Sequence, residues 1–170
     1  MSKVFVRAAF GLALPLALAS APAAAQLGPD AAACRSGGGA TGSAILVNVN
    51  GFRERRGNVR VNVYGSDASR FLARGQYVRQ INVPVTGNGP MRICVAVPTA
   101  GRYAVAVRHD SDGNGRSGWS DGGGFSRNPS ISLLSLRPSY DSVAFNVGHG
   151  VAGVNITLLY RYGLSIRPAA

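Results

Sequence analysis

The feature that most constrains this chain is the strict alternation of apolar and polar residues over short, turn-bounded runs. Ile45, Val47 and Val49 share one parity, and valine recurs at every second position of residues 59–63. A period of two places alternate side chains on opposite faces of a strand, whereas a helix repeats a face every 3.6 residues. The pattern therefore predicts β-strands with one face in a core, and it excludes a helical bundle or a coiled coil.

Further short runs of this kind follow along the chain. They cover residues 80–85, 91–97 and 101–107, then a run with Val143, Phe145 and Val147, and a last run with Val154, Ile156, Leu158 and Tyr160. About seven short strands favour an all-β fold, an antiparallel two-sheet β-sandwich of transthyretin-like or immunoglobulin-like class. Residues 51–58 have the composition of a polar hairpin connection, and Pro84 predicts an edge strand. Residues 66–73 could form one short helical turn.

The first 25 residues have the pattern of a secretory signal peptide. Lys3 and Arg7 precede an apolar run at 8–19, and small residues at 23–25 form a cleavage site after Ala25. An apolar run of about 12 residues is shorter than the roughly 20 that cross a bilayer as a helix. We therefore expect a periplasmic or secreted protein that does not span the membrane.

The sequence divides into four segments by composition. They are the signal peptide at 1–25, a flexible Ala- and Gly-rich lead segment at 26–42, the β-sandwich domain at 43–162 and a C-terminal tail at 163–170. About 30 residues, from 108 to 138, depart from the strand pattern. A long insertion of this kind in a compact domain is often functional.

The charge balance is strongly basic. Eighteen Lys and Arg against seven Asp and Glu give a formal charge of +11, and loss of Lys3 and Arg7 with the signal leaves 16 − 7 = +9. Outside the cytoplasm this charge suits an anionic envelope surface rather than nucleic acid. Arg53, Arg55 and Arg56 are candidates for such contacts, and solubility alone is the alternative explanation.

The two cysteines, Cys34 and Cys94, are expected to form one disulfide in an oxidising compartment. Cys94 has the opposite parity to Ile93 and Val95, so the bond would pin the lead segment across the outer face of a sheet. A nucleophilic Cys or a lipid-modified Cys34 is the weaker alternative, because neither an activating base nor an adjoining apolar run stands close in sequence.

A loop that starts at residue 110 has the ligand spacing of a calcium site. Counted from Asp110 as position 1, oxygen ligands fall at positions 1, 3, 5, 7 and 12, in the order Asp110, Asp112, Asn114, the Arg116 carbonyl and Asp121. Gly115 stands at position 6, where such a loop turns sharply. The shorter Asp at position 12 and Gly118 at position 9 weaken the match. The alternative is a polar turn in which Asp and Asn bond their own backbone.

Two aromatic residues, Trp119 and Phe125, lie in this Gly-rich region. They are candidates for a carbohydrate- or peptide-binding platform, and the alternative is a packed cluster beneath the loop. His109, Asp110 and Asp112 could serve a hydrolase as base and acids. No serine stands beside an evident base, and two distant histidines make no zinc cluster. We expect a non-catalytic binding or structural module of the cell envelope with a possible calcium ion.

Residues 101–110, followed by Asp112-Gly113-Asn114-Gly115, resemble the central signature of the bacterial domain of unknown function 2141 family. The Asn50-Gly51 turn, the segment 57–64 and the later segment 138–145 are similar to its pattern in order and spacing. The resemblance implies a secreted or periplasmic β-sandwich and assigns no activity. Members of the family commonly carry Lys and an acid where this chain has Arg116-Ser117-Gly118. Fewer carboxylates are therefore available here as calcium ligands.

Overall fold

Two β-sheets form this protein in a computed structural model that describes residues 26–35 and 42–169. The predicted signal peptide at 1–25 lies outside the described residues, as do residues 36–41. The elements are β1 (Gln26–Leu27), α1 (Ala31–Arg35), β2 (Ser43–Asn50), β3 (Asn58–Tyr64), β4 (Arg79–Pro84), β5 (Met91–Val97), β6 (Gly101–Asp110), β7 (Gly122–Phe125), α2 (Tyr140–Val143), β8 (Phe145–Val147), β9 (Gly150–Thr157), β10 (Leu159–Tyr162) and β11 (Ser165–Pro168). No helix in these described ranges is long and apolar enough to cross a bilayer.

The predicted two-sheet β-sandwich is confirmed. The smaller sheet has the strand order β1-β5-β2-β9, and the larger has the order β11-β10-β7-β6-β3-β4, with β8 paired to one end of β6. The described residues hold 11 strands instead of about seven. Most strand pairs are antiparallel as predicted, but β1 runs parallel to β5 and β9 runs parallel to β2.

The core lies between the sheets and is built from the alternating residues. Ile45, Val47 and Val49 of β2 are fully buried, as are the alternate valines of β3. Pro84 ends β4, which is the edge strand of the larger sheet as predicted. A second apolar cluster lies on the outer face of that sheet, where Tyr140 and Val143 of α2 cover the small Ala104.

The hairpin predicted at 51–58 is a crossover. β2 belongs to the smaller sheet and β3 to the larger, so this segment joins the two sheets at one end of the sandwich. Gly51 and Gly57 both adopt positive φ, and a Cβ on Gly57 would collide with the backbone oxygen of Asp110. The crossover therefore lies directly against the start of the candidate calcium loop.

Three further details of the sequence interpretation differ from the structure, because pairing depends on the whole sheet. Val143 was placed in a strand, but it ends α2, whose N-cap is Ser139. The C-terminal tail contains β11, which pairs with β10. The last predicted run is two strands, since the chain passes at Leu158 from β9 in the smaller sheet to β10 in the larger.

The described part of the lead segment is ordered against the smaller sheet, which corrects its expected flexibility. Its α1 packs on β5 and β2, and the predicted disulfide joins Cys34 of α1 to Cys94 of β5. Asp30 accepts hydrogen bonds from the Arg79 guanidinium of β4 and from the backbone N–H of Ala96. The segment therefore contacts both sheets.

Candidate functional site

The candidate calcium loop connects two neighbouring strands of the larger sheet. β6 ends at Asp110 and β7 begins at Gly122, and the two strands pair antiparallel. Gly113 and Gly115 take positive φ values of 70° and 78°. Residues that carry a side chain rarely adopt a positive φ, so glycine at these positions permits the chain to reverse direction.

The loop brings three of the predicted ligands together. Carboxylate oxygens of Asp110, Asp112 and Asp121 lie within 4.8 Å of one another. Asp112 is exposed and Asp121 half-buried, whereas Asp110 is only 3% exposed. One oxygen of Asp110, Oδ1, is buried and has no hydrogen-bond partner among the described residues. A buried anionic oxygen of this kind is costly unless a cation or a donor meets it.

Four of the five remaining carboxylate oxygens accept backbone N–H groups of the loop. Asp110 Oδ2 accepts from Gly115 at 2.9 Å, and the two oxygens of Asp121 accept from Ser111 at 3.3 Å and from Gly118 at 3.0 Å. Asp112 Oδ1 accepts from Asn114 at 3.1 Å. Each carboxylate oxygen has two lone pairs, so one bond to a backbone N–H leaves it able to bind a cation.

The structure places the other two predicted ligands less directly. The Asn114 side chain donates to Asp112 Oδ2 at 2.7 Å and accepts from the backbone N–H of Arg116 at 2.7 Å. These are the local bonds of a polar turn, so the alternative sequence interpretation describes this part of the loop well. Asn114 contacts the acidic cluster through its hydrogen bond to Asp112, and Arg116 takes part in the turn through its backbone N–H.

One cation already faces the cluster from β6. The Arg108 guanidinium lies 3.6 Å from Asp110 Oδ2 and donates to the Ser117 hydroxyl and the Gly115 carbonyl, both at 2.9 Å. Three carboxylates and one guanidinium carry a net charge of −2. A divalent cation would balance this charge, and Arg108 fixes the loop in the conformation that gathers the acids.

His109 belongs to the core rather than to the acidic cluster. Its Nε2 lies 2.8 Å from the Arg56 carbonyl, which can only accept, so Nε2 carries the hydrogen. In the neutral ring Nδ1 then accepts from the Tyr160 hydroxyl at 2.7 Å. Burial raises the pKa of Tyr160 to about 12, against the opposing effect of the nearby Arg53 cation. Both ring nitrogens are used, which leaves the proposed hydrolase without a free base.

The two aromatic candidates line one cleft but differ in burial. Trp119 is 75% exposed, and its ring carries the Arg161 guanidinium 3.4 Å from the ring centroid. Phe125 is half-buried and also packs against Phe71 in the second apolar cluster. The cleft has a volume of about 670 Å³ and reaches from the calcium loop to β10 and β11.

Sequence reasoning missed most of this cleft. Ile131, Leu133 and Leu136 form one wall on an arm that turns through paired Ser132 and Ser135. Arg161 on β10 faces them. The only signal in the sequence was the spaced aliphatic residues between 131 and 136, which have no strand partner to explain them.

The three arginines proposed for an anionic surface lie in the crossover, and each has a partner within the protein. Arg53 donates to the Ser120 carbonyl at 2.6 Å, Arg55 lies over the Phe52 ring and Arg56 pairs with Glu54 at 2.7 Å. Arg53 therefore ties the crossover to the calcium loop instead of projecting from it.

Comparison with known families assigns the chain. Residues 47–155 match the family described as "Uncharacterized protein conserved in bacteria (DUF2141)". The chain belongs to this family. The DUF2141 match runs from β2 to β9 and includes the candidate calcium loop, Trp119, Phe125 and the arm. No curated protein and no solved structure matches the chain.

Proposed function

We propose that this DUF2141 protein is a non-catalytic binding module that works in the periplasm or outside the cell, with a calcium ion in the 110–121 loop. The observation that carries the calcium assignment is the buried, unpartnered Oδ1 of Asp110 beside two further carboxylates. Calcium prefers hard oxygen ligands on a loop that can wrap around it. The oxygen type, the spacing and the net local charge all suit it.

An extracytoplasmic location is supported by two features of different origin. The Cys34–Cys94 disulfide is of a kind that persists in oxidising compartments. The signal-like pattern of residues 1–25 points to the same compartment. Extracellular calcium modules bind with dissociation constants of about 0.1–1 mM, which is the range we expect here given the short Asp121.

The binding role is supported by the cleft beside the loop. Asp121 and Gly118 belong both to the loop and to the lining of the cleft. A bound calcium ion would fix the backbone on either side of Trp119, which stands at the mouth of the cleft. Calcium would thus order a ligand site without taking part in any reaction.

The experiment is a calorimetric titration of the oxidised chain with calcium after chelation. We expect saturable binding by the wild type and none by Asp112→Ala, whose exposed side chain can be removed without opening the core. The matched control is Asp141→Asn, which removes an exposed carboxylate that pairs with Arg102 far along the chain from the loop. Absence of binding up to 10 mM calcium, or equal binding by Asp112→Ala, would reject the calcium site.

A further inference from the structure

The outer face of the larger sheet is only partly covered. Beside β6, the short helix α2 and Phe71 cover the small Ala104 and form the second apolar cluster. Over β7, β10 and β11, no helix of the described chain lies on the sheet, and the 670 Å³ cleft occupies that position instead. Its volume falls within the range of about 300–1,000 Å³ that is usual for small-molecule sites.

The cleft is lined mainly by apolar side chains. The arm supplies Ile131, Leu133 and Leu136, and the sheet supplies Leu159 and Ile166. Sugars need a set of hydrogen-bonding partners for their hydroxyl groups, and these aliphatic walls provide few. The wall chemistry therefore favours an aliphatic ligand over the carbohydrate ligand that the exposed aromatic residues suggested.

A glycine on β7 gives the cleft its floor. Cβ atoms on Gly122 and Gly124 would meet Tyr160 and Ile156, so both positions face the core. Gly123 has the opposite parity and faces the cleft, and its nearest atom to an added Cβ is the Val107 carbonyl oxygen at 3.9 Å. Its φ lies outside the positive region, so a side chain there is sterically possible and would fill the cleft.

The cleft exposes large apolar side chains that a ligand would cover. Trp119 is 75% exposed and Leu136 is 53% exposed, both at the border of the same cavity. Contiguous apolar surface of this kind marks a binding site more often than isolated exposed leucines do. Leu134 at the tip of the arm is fully exposed but does not line the cleft.

The charged group at the cleft border is a guanidinium. Arg161 stacks on Trp119 and donates from Nε to the Gly163 carbonyl, and no carboxylate of the described residues lies within ion-pair distance of it. The one acid in the lining, Asp121, already has backbone N–H donors on both oxygens. Arg161 thus offers the cleft a guanidinium that pairs with no carboxylate of the described residues, beside an apolar wall.

We propose that this cleft binds an acyl chain that carries an anionic head group. The aliphatic chain lies between the arm and β10, and the head group meets the Arg161 guanidinium beside Trp119. A free fatty acid anion and an anionic lipid share this chemistry. The inference rests on the proposed role as a binding module and names its ligand class. It stands even if the 110–121 loop binds no calcium, because the aliphatic wall and Arg161 lie outside that loop.

The test is binding of monomeric sodium dodecanoate, measured by calorimetry and by the emission of Trp119, the single tryptophan of the chain. Dodecyltrimethylammonium has the same chain with a cationic head and serves as the head-group control. Cosedimentation with phosphatidylglycerol vesicles distinguishes a membrane lipid from a free anion. Each titration is run with chelator and again with calcium at a concentration low enough to keep the calcium salt of dodecanoate in solution.

Two pairs of variants locate the site. Leu136→Asp places a charge on the apolar wall and Leu134→Asp places the same charge at the exposed tip two residues away. Arg161→Gln removes the cleft cation, and Arg167→Gln removes a neighbouring cation that lies over Tyr162. Gly123→Val fills the floor with a residue that strands accommodate.

Wild type should bind dodecanoate saturably and dodecyltrimethylammonium at least tenfold more weakly. Leu136→Asp, Gly123→Val and Arg161→Gln should each raise the dissociation constant about tenfold or more, while Leu134→Asp and Arg167→Gln change it less than twofold. Vesicle binding that Leu136→Asp abolishes would support the proposal and assign a membrane lipid. Vesicle binding absent beside dodecanoate binding would support it and assign the free anion.

The proposal is overturned if neither probe binds saturably, if the cationic amphiphile binds as well as the anion, or if Leu136→Asp and Gly123→Val leave binding unchanged. Failure of the calcium site gives a different result. Dodecanoate would then bind equally with calcium and with chelator, and the calcium titration would be flat.

Discussion

At the scale of the residue, Asp110 combines deep burial with a carboxylate oxygen that lacks a hydrogen-bond partner among the described residues. Asp110 is the last residue of β6, and the oxygen without a partner is its Oδ1. Two other carboxylates lie within 4.8 Å, and like charges near 4 Å repel by about 1 kcal/mol in water and about 4 kcal/mol near a protein surface. A cation between them would remove both costs.

The Asp110→Asn variant tests whether the Asp110 carboxylate binds a metal ion or only supports the fold. Asn has nearly the same volume as Asp and keeps one oxygen that can accept from the Gly115 N–H. It relieves the repulsion among the carboxylates but loses the ion pair with Arg108. Because these effects oppose each other, we expect the free energy of unfolding of the calcium-free protein to change by no more than about 1–3 kcal/mol. The rise in melting temperature on adding 10 mM calcium, about 3–10 °C for wild type, should disappear.

Thermal melting with and without calcium checks this expectation. The Asp141→Asn variant should keep the wild-type rise because its carboxylate is exposed and far from the loop. An Asp110→Asn protein that still gains several degrees from calcium would show that Asp110 is not a ligand.

Tyr160 gives the molecule a predictable alkaline limit. Burial raises its pKa to about 12, above the ordinary value of 10, so the folded state favours the neutral phenol that donates to His109. That contribution is fully present below pH 10 and is lost as the pH rises through about 12, by roughly 2–3 kcal/mol in all. Urea unfolding of wild type between about pH 9 and 12 measures the loss.

The Tyr160→Phe variant provides the comparison for the alkaline limit. It should be less stable than wild type near pH 8 because His109 Nδ1 loses its donor. It should also show a smaller further loss above pH 10, although Tyr64 and Tyr140, whose pKa values burial also raises, leave some slope. Parallel slopes in the two proteins would contradict this assignment.

At the scale of the element, the alternation of apolar residues located most of the strands. The faces of β2, β3 and β5 follow from valine and isoleucine spacing, and the parity of Val154, Ile156, Leu158 and Tyr160 was correct although the chain changes sheet at Leu158. Which strands pair could not be predicted, because both sheets bury the same residue types. The 51–58 connection was misjudged for that reason.

Strand β7 was missed because glycine carries no alternation signal. Its residues form a strand because β6 and β10 supply partners on both sides, and the absent side chains let Tyr160 and Ile156 pack close. The spacing of the acids, in contrast, was local information. The spacing placed Asp110, Asp112 and Asp121 close to one another, and their carboxylates do lie close together, since a short loop between paired strands confines its own residues.

The two faces of β7 predict opposite effects of the same substitution. An alanine Cβ at Gly124 would lie 2.7 Å from Ile156 Cγ2 and 2.8 Å from the Thr157 carbonyl oxygen, so Gly124→Ala should cost about 1–3 kcal/mol. Gly123→Ala meets nothing closer than 3.9 Å and should be neutral or stabilising by up to about 1 kcal/mol. Urea denaturation of the pair checks this, and equal losses would contradict the facing of β7.

At the scale of the whole molecule, the lead segment closes the outer face of the smaller sheet. The disulfide from Cys34 to Cys94 spans 60 residues, and Asp30 binds Arg79 and the backbone of β5. The sequence predicted the pairing and the face, because Cys94 has the parity opposite to the core residues. It did not predict that Ala31–Arg35 form a helix, since five Ala-rich residues form a stable helix only through the contacts that the fold supplies.

Removing the disulfide should destabilise the fold without altering the calcium loop. The double variant Cys34→Ala with Cys94→Ala frees a loop of 60 residues, which in the chain-entropy model costs about 4 kcal/mol. Chemical denaturation of the wild type and the variant measures the difference. Calcium affinity should stay within twofold, because the loop belongs to the other sheet. An unchanged stability would show that α1 is held by packing alone.

The most direct test of the account is a crystal structure of the oxidised chain grown with 10 mM calcium. We expect one cation about 2.3–2.6 Å from Asp110 Oδ1 and from oxygens of Asp112 and Asp121. An Asp110 Oδ1 met only by water or by a protein donor, with no cation among the three carboxylates at that concentration, would contradict it.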